Sequence, residues 1–418
     1  MAGGYVQLVV IIGLYTLLVL WPPRLPRALA FAVFFVSHLV NELPGLALGA
    51  LLAGTVLALI GGDPISAADG VLLALAALTA LGLLEVIRRG LMTAPVVEAS
   101  LDQELGRGWR SAAGPAGRSR RLRLARELLA PLPLRPRHVQ RIRNLTYGDA
   151  GRRNRLDVYR PRSSVGGAGP VLIHFHGGHF QMGGKSREAR PLLHRLASHG
   201  WVCISANYRL GATGRFPNSL IDAKRVISWA RTHAAEYGGD PSMLIVAGSS
   251  AGAHLASMAA LTPNEAAFQP GFEDADTAVS AAVCLYGYYG ERDGAGALHS
   301  SPVAYIGRDA PPFLVAHGIN DRLISIAHAD QFVQRLRAGS MRPVIYLRLP
   351  GAEHSFDLFH SPRFDAVIDG IERFAIWLRA MSTPASKAEA ISAPGERDRM
   401  EAPRARCRPV GWREGSAR

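Results

Sequence analysis

The segment Leu244-Ile-Val-Ala-Gly248-Ser249-Ser250-Ala251-Gly252-Ala253 has the residue types needed for nucleophilic chemistry. An apolar strand pattern runs into Gly-x-Ser-x-Gly and then into a helical pattern. Such a turn is sharp and leaves no room for side chains beside the serine. It also presents the hydroxyl at the amino end of a helix, whose dipole favours developing negative charge. Ser250 is therefore the expected nucleophile. A nucleophilic serine needs a base, and the base needs an orienting carboxylate. Leu314-Val-Ala-His317-Gly-Ile-Asn320-Asp321 places a carboxylate just past one apolar run, and Leu349-Pro-Gly-Ala-Glu353-His354 places a histidine just past another. The chemistry implied is acyl transfer, with His354 as general base and Asp321 holding its ring. The order serine, aspartate, histidine is the one found in open α/β sheets that carry an elbow of this type.

Acyl transfer also needs backbone N–H donors where a carbonyl oxygen becomes an oxyanion. The run Val171-Leu-Ile-His-Phe-His176-Gly177-Gly178-His179-Phe180 ends a strand in a His-Gly-Gly turn, and Gly177 and Gly178, with the Ala251 amide, are the expected donors. His179, Phe180 and Ser249 adjoin these motifs and are candidates for the pocket wall. For His179, the pocket entrance and open solvent are equal alternatives. His174, His176 and His317 read as packing or supporting residues, and Glu353 as a surface acid.

These residues need a scaffold. Val171–Phe175, Trp201–Ala206, Met243–Ala247, Val279–Leu285, Phe313–His317 and Val344–Leu349 read as buried strands. Ser186–Ser198, Pro217–Ala235, Ala251–Ala260, Ile326–Ala338 and Arg363–Met381 carry the helical period. The alternation predicts a mostly parallel, doubly wound sheet, with ligands at the carboxyl ends of its strands. Arg152–Arg160 is expected as an antiparallel edge element.

Ser205-Ala-Asn207-Tyr208-Arg209-Leu210, Phe216-Pro217-Asn-Ser-Leu220-Ile-Asp222 and Gly238-Gly239-Asp240-Pro241, around the two main motifs, resemble the hormone-sensitive-lipase-like bacterial carboxylesterases, particularly their membrane-attached actinobacterial members. The likeness covers Arg155 to Leu378. It implies an α/β-hydrolase fold and hydrolysis of carboxylic esters of short to medium acyl chains, without metal or organic cofactor. Two features depart from the pattern. His179 stands where typical members have a third glycine, a change shared, with Ser250-Ala-Gly-Ala-His254-Leu, by kynurenine formamidase-like and feruloyl-esterase-like hydrolases. An arylformamide or aromatic ester is therefore an alternative substrate. In place of the usual cap-forming helical segment stand apolar runs and an arginine-rich stretch. A non-catalytic membrane scaffold is the third reading, disfavoured because all three triad candidates are present.

Residues 1–23 are uncharged, and further uncharged runs cover Ala28–Asn41, Leu43–Gly62 and Gly70–Leu84. A bilayer core takes about 20 apolar helical residues. Tyr5–Trp21, Leu43–Gly62 and Ser66–Ile87 are candidate spans. Ala28–Val40 is too short to cross alone; it is either half of a hairpin turning at Asn41–Gly45 or the start of one long tilted helix, which makes three spans expected and a fourth an alternative. Met1-Ala-Gly-Gly lacks the basic start of a cleaved leader, so a retained, multi-pass anchor in the cell membrane is expected. With three crossings, Arg24, Arg27, Arg88 and Arg89 place the catalytic domain on the cytoplasmic side; with four they conflict. The formal charge is +14, and eleven arginines lie between Arg107 and Arg143 with Glu127 as the only acid. Beside a membrane this stretch suits anionic lipid headgroups; nucleic acid is disfavoured because no aromatic interleaving or reader motif accompanies it. Cys203, Cys284 and Cys407 indicate neither a disulfide framework nor a zinc site. The expected organisation is a transmembrane region over 1–90, a linker over 91–144, the catalytic domain over 145–382 and a disordered tail over 383–418. The oligomeric state is not legible.

Overall fold

Short runs rich in Val, Ile, Leu and Ala, buried on both faces, form the centre of a parallel sheet because helices cover each face. A computed structural model describes residues 3–23, 26–61, 66–106, 108–110, 130–163, 167–292 and 299–382. Its strands are β1 Val139–Thr146, β2 Arg155–Pro161, β3 Gly169–Phe175, β4 Val202–Ala206, β5 Gly239–Ser249, β6 Ala281–Leu285, β7 Phe313–Gly318 and β8 Val344–Leu349. The helices are α1 Gly3–Leu20, α2 Arg27–Glu42, α3 Pro44–Ile60, α4 Ala67–Leu91, α5 Thr93–Leu105, α6 Arg190–Ser198, α7 Asn218–His233, α8 Ala251–Leu261, α9 Ile326–Gly339 and α10 Pro362–Ser382.

The strands form one sheet in the order β1-β2-β4-β3-β5-β6-β7-β8. β2 pairs antiparallel with β1 and β4, and every pair from β4 to β8 is parallel. After β3 the chain moves outward to β4 and then returns to β5 on the other side of β3. That reversal leaves a crevice at the carboxyl ends of β3 and β5, where such sheets bind ligands. Side chains alternate across the sheet: Val171, Ile173 and Phe175 pack with α7, α8 and α9, whereas Leu172, Cys203 and Ile245 pack with α5, α6 and α10.

Of residues 91–144, expected as a linker, α5 and β1 contribute to this core instead. Val97 and Leu101 of α5 are buried against the sheet, and Ser100 Oγ donates to the Tyr346 carbonyl of β8 at 3.0 Å. β1 straddles the expected 144/145 boundary. Of the basic stretch, Arg107 and residues 111–129 lie outside the described residues. Arg110 pairs with Asp102 at 2.7 Å, and Arg141 donates to the buried Asp157 at 2.8 Å, so these two serve the fold itself. The expected tail over 383–418, with Cys407, lies outside the described residues; Cys203 and Cys284 are buried free thiols.

α1 and the α4–α5 rod are long and apolar enough to cross a membrane; α2 and α3, bent by 80° at Leu43, make a third crossing if the pair is one broken span. The bend has a local cause. Proline disfavours helical backbone at the residue before it but suits the first turn of a new helix, which is where Pro44 stands. α1, α3 and α4 pack together through Tyr5, Val9, Leu51, Leu72 and Leu83, leaving Leu14, Leu57, Ile60 and Leu78 exposed. Arg363, at the start of α10 and 2% exposed, donates to Glu42 of α2 at 2.8 Å. Removing one member of such a pair strands a buried charge, at about 3–5 kcal/mol, whereas replacing both with apolar groups is often neutral. Arg363→Met should therefore lower the thermal midpoint in detergent, followed by tryptophan fluorescence, and adding Glu42→Leu should recover most of the loss. An unchanged midpoint in Arg363→Met would show that the pair is not a clamp.

Candidate active site

Ser250 lies between β5 and α8 with φ 54° and ψ −116°. Its amide donates to the Leu285 carbonyl of β6 at 2.9 Å. The flanking glycines are required by contact: a Cβ on Gly248 would overlap the Gly252 carbonyl, and one on Gly252 would overlap the Phe175 carbonyl at the end of β3.

The structure brings the three expected polar side chains together. His354 Nε2 lies 2.9 Å from Ser250 Oγ, and His354 Nδ1 lies 2.8 Å from Asp321 Oδ2. A carboxylate only accepts, so Nδ1 carries the proton and Nε2 is free to take one from the serine. β8 is three strands away from β5, and the loop after it is steered back by Ile319 and Asn320 amides donating to the Leu349 and Ala352 carbonyls. Asp321 is fixed by the Leu323 and Ile324 amides, which donate to Oδ1 at 2.9 and 2.8 Å, and by His317 Nε2, 3.3 Å from Oδ2. Burial opposes charge at Asp321, but the His354 charge and hydrogen bonds from His317 and His354 prevail and hold its pKa well below the usual range. Burial likewise opposes charge at His354, yet Asp321 raises its pKa above the ordinary 6.5.

The three amides expected as oxyanion donors are not equally available. The Gly177 amide donates to Glu188, a buried acid that returns from just before α6, and is therefore engaged. The amides of Gly178, His179 and Ala251 have no acceptor among the described residues and are free to donate. Gly178, His179 and Phe180 all have positive φ, of 114°, 54° and 61°. Tyr208 steadies the start of this loop: its hydroxyl donates to the His176 carbonyl at 2.6 Å, and its ring stacks on His176 at 4.4 Å. Burial pushes the Glu188 carboxyl up to about 7, with the Asp357 charge adding to it.

Two candidates for the pocket wall are displaced inward. Ser249 is fully buried on the opposite side of the strand, with Oγ donating to Asp357 at 2.6 Å and lying 3.0 Å from His174 Nε2. Asp357 also receives the Tyr286 hydroxyl at 2.5 Å. Phe180 is packed edge-on to His254, with the Arg292 guanidinium over its face. His179 is exposed; partial burial and then the His354 charge lower its pKa. Glu353, expected at the surface, is 1% exposed and paired with Arg322, because Arg322 folds inward to donate to the Leu18 carbonyl of α1 at 3.0 Å. Burial raises the Glu353 carboxyl to about 7.

α2 covers the site. Phe34 is 6.4 Å, ring to ring, from His354, and both Ser250 and His354 are only 5% exposed. Sequence reasoning treated Ala28–Asn41 as an uncharged run and passed over Phe34 and His38 within it. The signal was present, since a polar side chain within an apolar membrane segment is by default a functional candidate. Among the described residues no group of three or more His, Cys, Asp or Glu could hold a metal ion.

A serine, an aspartate and a histidine just past the carboxyl ends of β5, β7 and β8 of an eight-stranded, mostly parallel sheet define the serine hydrolases of the α/β-hydrolase fold. A family model described as BD-FAE matches residues 156–293. The chain is 38% identical over 372 residues to "Probable carboxylic ester hydrolase LipM" of Mycobacterium tuberculosis, spanning 82% of this chain and 85% of that protein. "Esterase LipQ" of the same organism is 38% identical over 264 residues, 57% of this chain and 62% of that one. Among solved structures, Thermogutta terrifontis esterase 2 phosphoramylated by tabun has a TM-score of 0.51 at 22% identity over 58% of this chain and 96% of that one, which speaks to the fold. The chain belongs to the hormone-sensitive-lipase-like carboxylesterases of the α/β-hydrolase superfamily.

Neutral His354 is the form able to take a proton, and Asp321 raises its pKa, so kcat/KM should fall with decreasing pH through a midpoint above 6.5. Asp321→Asn should move that midpoint down and lower kcat by about 10⁴-fold. A wild-type midpoint at or below 6.5 would contradict this electrostatic reading.

Proposed function

We propose that this protein is a serine carboxylesterase, held in the bilayer by its N-terminal helices, that hydrolyses lipophilic carboxylic esters through an acyl-enzyme on Ser250. The observation that carries the reading is the unbroken Ser250–His354–Asp321 chain, at 2.9 and 2.8 Å, facing three unengaged amides. Ser250 Oγ attacks the ester carbonyl as His354 Nε2 takes its proton. The oxyanion sits against the Gly178, His179 and Ala251 amides, and its collapse expels the alcohol, which leaves with the proton from His354. Water then attacks the acyl-enzyme with His354 again as base, releasing the acid and restoring Ser250.

The lipophilic character of the substrate follows from position. α2 lies over the catalytic groups and exposes Phe31, Phe35 and Leu39 outward, a surface suited to acyl chains. Arg88 and Arg89, in the last turn of α4, favour a cytoplasmic catalytic domain by the positive-inside rule. Proximity of the arginine-rich segment to a bilayer would add attraction for anionic headgroups.

The test is hydrolysis of nitrophenyl esters from acetate to palmitate, beside an arylformamide, by purified protein in detergent. Ester turnover should predominate, rise beyond the shortest chains and fall at least about 10²-fold in Ser250→Ala. Preference for the arylformamide would reassign the substrate class within the same mechanism. Equal activity in Ser250→Ala would overturn the mechanism.

A further inference from the structure

α2 reaches the catalytic centre through one face. Phe34, His38, Asn41 and Glu42, at helical spacing, are 5%, 7%, 2% and 2% exposed, while Phe31, Phe35 and Leu39 on the opposite side are about half exposed. Phe34 sits between two imidazoles, 4.9 Å from His38 and 6.4 Å from His354, ring to ring. Glu42, one turn beyond His38, is bonded to Arg363 and pins this face to the catalytic domain.

His38 is buried, yet neither ring nitrogen has a hydrogen-bond partner among the described residues. A neutral imidazole offers one donor and one acceptor, and leaving both unmet in apolar surroundings is costly. The adjacent Ser37 avoids that cost by donating to the Val33 carbonyl at 2.7 Å, a local solution that His38 does not adopt. A side chain in this position is suited to a partner that arrives with the substrate.

The geometry also indicates which part of the substrate that is. His354 must hand its proton to the departing oxygen, so the alcohol half of a bound ester lies against His354, away from the oxyanion amides. Phe34 is in ring contact with His354, and His38 is in ring contact with Phe34. We propose that His38 is a substrate-binding residue that hydrogen-bonds a hydroxyl on the alcohol half of a lipophilic ester. The substrate class is then acyl esters whose alcohol carries a free hydroxyl near the ester oxygen, as in monoacylglycerols. The inference rests on the serine-esterase reading above.

The test compares 2,3-dihydroxypropyl octanoate with n-propyl octanoate in detergent micelles, using wild-type protein, His38→Phe, His38→Leu and His38→Gln. Wild type should favour the dihydroxypropyl ester in kcat/KM. Each apolar variant should lower that preference about tenfold, chiefly through KM, and His38→Gln, which keeps a donor and an acceptor, should restore part of it. Using two apolar variants guards against one failing to fold. A variant that lowers both esters in the same ratio would assign His38 a packing role and overturn the proposal, as would an unchanged preference. Absence of Ser250-dependent turnover of either ester would instead overturn the serine-esterase reading.

Discussion

Ser250 is held in a backbone conformation that side chains other than glycine's avoid, at a cost of about 1–3 kcal/mol. Three neighbours enforce it. β6 receives the Ser250 amide, α8 crosses β5 in contact at Gly248 and Gly252, and the end of β3 presses on Gly252. The same contacts that strain the serine bring the His-Gly-Gly turn beside it, since Phe175 of β3 is in register with Gly248 of β5. Ser250 and the His-Gly-Gly turn are thus positioned by one packing arrangement. His354 and Asp321 arrive separately, on the loops after β8 and β7.

Beneath the elbow is a polar layer that contributes no group to the reacting atoms. Ser249, His174, Asp357 and Tyr286 bond to one another, and Tyr286 also meets the His354 ring edge-on at 4.5 Å. Burial, first of all, raises the pKa of both Asp357 and Glu188, and the Asp357 charge further discourages charge on Glu188. A site so arranged limits net negative charge behind a developing oxyanion. α2 covers it from above, and removing water there strengthens every electrostatic interaction inside. Arg363 with Glu42, and Arg322 with the Leu18 carbonyl, tie the apolar helices to the catalytic loops, so that the bundle closes the site as well as presenting apolar surface.

Much of this was legible because it depends on short-range pattern. A parallel sheet buried on both faces writes itself as apolar runs, and an elbow writes itself as glycines around a serine. The remainder depends on chain segments that return from a distance. Nothing near Gly177 announces that Glu188 will occupy its amide, and nothing near Glu353 announces that Arg322 will bury it. α5 is not announced by Thr93–Leu105 itself, and only its packing on β8 and α10 gives Val97 and Leu101 their role. Most of β1 falls in the expected linker, where its arginines read as a basic stretch, yet Arg141 is there to neutralise the buried Asp157. α2 looked like half a membrane span, and its relation to His354 appears only when the chain has folded.

The central claim is that His354 activates Ser250 as the nucleophile. Reaction of the detergent-solubilised protein with an alkyl fluorophosphonate, followed by intact mass and peptide mapping, tests it most directly. The account predicts one adduct per chain, on the peptide containing Ser250, formed at least about 10²-fold more slowly in His354→Ala. An adduct on another residue, or equal labelling rates with and without His354, would contradict it.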